Sequence, residues 1–118
     1  MRIYVDQVFE SMKREDTVVL NILSATEFRK LHIKGSQSHP LKDDQVAFGK
    51  EVEEKYGKDK NFILYGDHFG LLDSFMATHS LQERGLKALN FADGVQEWAR
   101  RGLDVEGSQV RPEPVVES

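Results

Sequence analysis

Three short segments constrain this chain most. Residues 17–22 (TVVLNI), 61–65 (NFILY) and 88–91 (ALNF) are nearly unbroken runs of apolar, β-branched or aromatic side chains. A strand with one wet face alternates apolar and polar residues, whereas a strand covered on both faces has no such need. Parallel strands cannot be joined by tight turns, so the stretches between them must supply crossovers, usually helices. The pattern predicts an α/β domain with a central, mostly parallel sheet of four or five strands and helices over both faces. A further short strand is expected at residues 3–5 (IYV).

The connecting stretches carry helix signals. Asp6 can cap a helix running to about Arg14, with Val8, Phe9 and Met12 on one face. Ser24 and Glu27 form a capping box ahead of a short helix carrying Phe28 and Leu31. Residues 35–40 (GSQSHP) read as a turn or irregular segment. Asp43 or Asp44 opens a helix to Tyr56, with Val46, Phe48, Val52 and Tyr56 available for packing and Gly57 as its stop. A loop bounded by Gly66 and Gly70 leads into a helix from about Leu72 to Arg84, ended by Gly85. Asp93 and Gln96 form a second capping box, opening a helix whose Val95, Trp98 and Ala99 share a face. Residues 1–107 are expected to make one domain, and 108–118, with two prolines and few core-type side chains, an extended or mobile tail. Sheets of this kind bind ligands beyond the carboxyl ends of their strands, so the loop after residues 61–65 is the first place to look for a site.

What is missing bounds the chemistry. The 118 residues include no cysteine, which excludes a disulfide framework, a cysteine metal site and any thiolate nucleophile. Lysine and arginine number 16 against 20 aspartates and glutamates, a formal charge of −4. That balance argues against nucleic acid or an anionic membrane surface as partner. No apolar run approaches the roughly 20 residues a bilayer requires. The opening MRIYVDQVFE lacks a secretory-signal pattern, and a cytoplasmic setting is expected.

The order of the segments resembles that of rhodanese-like domains over residues 2–106. TVVLNILSATEFRKLHIKGS resembles the family's first signature, a strand, a capped helix and a His-Ile-x-Gly turn. NFILYGDHFGLLDSFMATHSLQERG resembles its strand, active-site loop and helix. LKALNFADGVQEWARRGLDVEG resembles its closing strand, Gly-containing turn, Trp-bearing helix and final Gly-Leu. The resemblance implies a three-layer sandwich. In active members a cysteine follows the second of these strands and becomes a persulfide, carrying sulfur from donor to acceptor. Loop N–H groups stabilise the anion, and an arginine often starts the next helix. Counting back from Gly85 places Gly66 at the cysteine and Asp73 at the arginine, while Ser74 matches the serine that usually follows. The family's Asp-Val-Arg is Asn21-Ile22-Leu23 here, and its paired glycines before the Trp helix are Asp93-Gly94.

Glycine offers no nucleophile. Asp73 puts a negative charge where an anionic substrate needs a positive one, an interaction of about 4 kcal/mol at about 4 Å and intermediate dielectric. Backbone N–H groups of the loop can still hold a small anion. The degenerate loop Gly66, Asp67, His68, Phe69, Gly70, Leu71, Leu72, Asp73 and Ser74 is therefore expected to recognise a protein or a small anion, without metal or cofactor. Phe69, Leu71 and Leu72 either pack inward or stand out to meet a partner, and self-association is a further option. The alternative is an enzyme of different chemistry on the same scaffold, using Asp67, His68 and Asp73, or a metal held by Asp67, His68 and His79. His32 is expected to make a structural hydrogen bond in its turn. His39 either borders the site or is an ordinary loop residue. Residues 50–60 read as a solvated face.

Overall fold

The computed structural model describes residues 2–110. In chain order these form α1 (Val5–Ser11), β1 (Thr17–Asn21), α2 (Ala25–Lys30), β2 (His32–Ile33), β3 (Gln37–Ser38), α3 (Gln45–Tyr56), β4 (Asn61–Tyr65), α4 (Asp73–Glu83), β5 (Lys87–Phe91), α5 (Gly94–Arg100) and β6 (Val105–Glu106). The three apolar runs lie side by side and parallel, Thr17 opposite Asn61 and Asn61 opposite Lys87. With β3 parallel at the far edge, the order is β3-β1-β4-β5.

Side-chain alternation along these strands builds two cores. Val18, Leu20, Phe62, Leu64 and Ala88 face Phe48 and Val52 of α3 and Ala77 and Leu81 of α4. Val19, Ile63, Tyr65 and Phe91 face Val5 and Val8 of α1, Ile33, and Val95 and Trp98 of α5. Both faces are covered, which is why the runs could be apolar without alternation. Trp98 also donates its indole N–H to the Asp104 carbonyl at 3.0 Å.

Four local expectations are corrected. The strand at residues 3–5 reduces to a bridge between Arg2 and Asn90, with the Ile3 N–H on the Asn90 carbonyl at 2.9 Å. Val5 and Val8, three apart and both buried, pull this segment into α1 instead. That helix is entered from Tyr4, with Asp6 in its first turn, and ends at Ser11 rather than Arg14. Residues 37–38, read as irregular, form β3 against Leu20 and Asn21. Asp93 makes no capping bond to its helix. Ser24 and Asp44 do cap, each accepting the N–H three residues on, from Glu27 at 3.2 Å and Ala47 at 3.1 Å. Gly57 stops α3 with a φ of +86°, which glycine adopts freely.

The small β2–β6 ribbon pairs His32 with Glu106 and Ile33 with Val105. Beyond it, Ser108 and Gln109 donate their backbone N–H groups to the carbonyls of Arg29 and Lys30 at 2.9 Å. The rest of the expected tail, residues 111–118, lies outside the described residues. Among the described residues no helix is long and apolar enough to cross a membrane.

The connection from β1 leads toward the β3 edge, and that from β4 leads toward β5. Adjacent strands whose connections leave in opposite directions open a crevice at their carboxyl ends. Here that crevice lies between β1 and β4.

Candidate functional site

Beneath the crevice, β1 and β4 end side by side at Asn21 and Tyr65. The buried Tyr65 hydroxyl accepts from the Asn21 amide at 3.1 Å and from the Ile33 N–H at 3.0 Å. The Ser36 hydroxyl donates to the Ile33 carbonyl at 2.7 Å, leaving its oxygen to accept from Tyr65 at 2.7 Å. Every hydrogen-bonding capacity of the phenol is thus used. Burial pushes the Tyr65 phenol above its ordinary pKa of 10.0, against the opposing pull of these hydrogen bonds. Asn21 also accepts from the Leu23 N–H at 2.9 Å, so it donates and accepts at once. An ionised carboxylate at this position could only accept.

The loop after β4 begins on a fixed base. Val95 N–H donates to the Gly66 carbonyl and Gln96 N–H to the Asp67 carbonyl, both at 3.0 Å. The Gln96 side chain, instead of closing a capping box, donates to the Asp67 carboxylate at 3.0 Å. Gly94 makes this approach feasible: its φ is +74°, and a Cβ there would lie 2.6 Å from the Asp67 carbonyl. Asp93, the other half of the expected box, pairs with Arg2 at 2.5 Å. The Arg2 guanidinium lies 4.6 Å from the ring centres of both Tyr4 and Phe69, tying the N-terminal segment to the loop.

Gly66 is different. It does not adopt a positive φ, and a Cβ there would meet Ile22 Cδ1 at 3.7 Å and Leu23 Cδ2 at 3.8 Å, ordinary contact distances. The backbone at the tip of β4 has room for a side chain and does not require glycine.

The crevice beside it has a volume of about 390 Å³ and is lined by Ile22, Leu23, Ser24, Leu41, Lys42, Asp43, Asp73 and Met76. Its one ammonium group, on Lys42, lies 2.5 Å from Glu51. The carboxylates of Asp43 and Asp73 form no ion pair among the described residues, so the rim is acidic. Asp73 occupies the first turn of α4, where it complements the helix dipole and opposes an incoming anion. Leu41, Lys42 and Asp43 were not foreseen as crevice residues. They arrive because the chain after β3 stays beside β1, with the His39 N–H on the Asn21 carbonyl at 2.9 Å and the Leu41 N–H on the Ile22 carbonyl at 3.0 Å. The Ser-His-Pro sequence preceding them gave no periodic signal of that pairing.

Of the residues of the alternative chemistry, the neighbours Asp67 and His68 stay together, whereas Asp73 and His79 lie elsewhere. His68 is exposed, its Nδ1 2.9 Å from the Phe69 carbonyl and its Nε2 4.0 Å from the Asp67 carboxylate. It lines a groove with Asp93, Gln96 and Arg100 on the α5 side, whereas Asp73 lines the crevice on the α4 side. His79 pairs with Glu83 at 3.3 Å along α4. Among the described residues no group of three or more His, Asp or Glu side chains is placed to hold a metal ion. His32 sets its Nδ1 2.7 Å from the Phe28 carbonyl and stacks on the Phe28 ring. His39 packs its ring against Phe48 outside the crevice, and burial holds its pKa below 6.5. Phe69, Leu71 and Leu72 stand outward, 61%, 42% and 70% exposed, joined by Phe75 at 60%.

Solved structures share this fold at low identity. A protein from Bacillus halodurans aligns with a TM-score of 0.78 at 17% identity, covering 92% of this chain and 77% of its own. A rhodanese-related protein from Thermoplasma volcanium gives 0.70 at 22%, covering 88% and 95%. The rhodanese-like domain of an Anabaena protein gives 0.74 at 16%, covering 99% and 87%. No curated protein matches the chain. The family model for the rhodanese-like domain matches residues 5–101, from the start of α1 to the end of α5. The chain belongs to the rhodanese-like domain family, as a member without a cysteine.

Proposed function

We propose that this chain is a non-catalytic rhodanese-like module whose loop at residues 66–74 recognises a protein partner. One observation carries the reading: the residue that follows β4 is Gly66, where a side chain would fit and none is present. Sulfur transfer through a persulfide needs a thiolate that attacks the outer sulfur of a donor such as thiosulfate, keeps it, and releases sulfite. The chain has no thiol with which to form that bond. Asp43 and Asp73 at the crevice further disfavour an anionic donor. The exposed side chains of Phe69, Leu71, Leu72 and Phe75 support a protein-facing role, since clustered apolar groups on a surface are commonly binding sites. The test is transfer of sulfur from thiosulfate to cyanide. The expected result is thiocyanate formation no faster than in protein-free buffer. A rate that scales with protein concentration would overturn the reading.

A further inference from the structure

Resting on that reading, we infer that the partner presents a cationic amphipathic helix to the loop and the outer face of α4. Leu72, Phe75 and His79 recur at helical spacing on the exposed side of α4, with the Phe75 and His79 rings stacked. This strip is about 10 Å long, two helical turns. It runs toward a second groove, of about 450 Å³, where His79 lies beside Val46 of α3, a valine that is largely exposed.

The charges around the strip select the partner. The two cations that line the crevice and the second groove are each engaged by a carboxylate of the chain, Lys42 by Glu51 at 2.5 Å and Arg84 by Glu53 at 2.6 Å. Asp43 and Asp73 are left without an ion pair among the described residues, at the end of the strip where Leu72 stands. A second copy of the chain carries the same net charge of −4, and an anionic lipid surface would be repelled. A segment with leucine-like side chains on one face and lysine or arginine along its edges satisfies both features. The overall charge of −4 also favours its approach.

Two labelled peptides of about 18 residues, roughly 27 Å as helices, are the probes. One carries leucine on one face and lysine on the other, and its counterpart has glutamate for every lysine. Fluorescence anisotropy with the full chain should show the lysine peptide binding at least about ten-fold more tightly, with the advantage shrinking in high salt. Asp43→Asn with Asp73→Asn should weaken it by about ten-fold, and Leu72→Ser with Phe75→Ser should abolish binding without changing the circular dichroism. Equal affinity for the two peptides, or lysine-peptide binding indifferent to both pairs of substitutions, overturns the inference. So does self-association in sedimentation that Leu72→Ser with Phe75→Ser removes. A chain inert toward thiosulfate that binds neither peptide overturns this inference and leaves the non-catalytic reading standing. A chain that forms thiocyanate overturns that reading however the peptides behave.

Discussion

Gly66 and Gly94 face each other across the base of one loop, and the backbone constrains them differently. Gly94 has a positive φ and would drive a Cβ into the Asp67 carbonyl at 2.6 Å, so Gly94→Ala should cost about 2–4 kcal/mol from strain and overlap. Gly66→Ala meets only ordinary contacts, and its effect should stay within about 1 kcal/mol of zero. Urea titration of both variants checks the contrast. Tyr65→Phe strands the Asn21 amide and the Ile33 N–H, an expected loss of about 1–3 kcal/mol by the same method. The Tyr65 pKa is raised on folding, so stability is fully present below pH 10.0 and falls as pH climbs through the folded-state value. Tyr65→Phe should lack this part of the alkaline decline. That Gly66 opens the loop after β4 was legible from motif order alone, but whether glycine was required there was not. That depends on Ile22 and Leu23, more than forty positions away in the chain (66 − 23 = 43).

Among the elements, the long ones were readable and the short ones were not. The runs that became β1, β4 and β5 each bury side chains on both faces, a local property of the sequence. Strands of two residues, such as β2, β3 and β6, are too short to show a period and are held by partners elsewhere. The two expected capping boxes show the same limit. Ser24 makes its half of the first box, but the Glu27 carboxylate accepts from Lys30 instead of reaching back, while in the second Gln96 is taken by Asp67, 29 residues earlier, and Asp93 by Arg2. Asp44→Ala should therefore cost α3 about 1 kcal/mol, while Asp93→Ala should lose only the partly exposed Arg2 pair, about 0.2–1 kcal/mol. Thermal unfolding of the two variants, converted to free energy, distinguishes them. His39 sits on the strap between β3 and α3, facing Glu51, Lys55 and Lys42, with burial the largest influence and a lowered pKa the result. Its contribution is present above pH 6.5 and is lost as pH falls through the folded-state value. Unfolding curves of His39→Phe should show a shallower acid-side decline than those of the parent chain.

At the scale of the whole molecule, the family's scaffold is present in a chain that has no thiol. The sheet order, the two cores and the helix-bolted loop are built largely from the residues that the family model matches, 5–101. The order and spacing of short motifs made this architecture legible, because each motif reflects a local packing need. The acidic crevice was only half legible: Asp73 was readable by counting from Gly85, but Asp43 and Lys42 reach it through tertiary pairing beside β1. The central claim is that no atom at the end of β4 can carry sulfur. Its most direct test is the intact mass of the chain after incubation with thiosulfate, without reductant, followed by rapid desalting. An unchanged mass is predicted. A population heavier by one sulfur atom, lost again on adding cyanide, would contradict it.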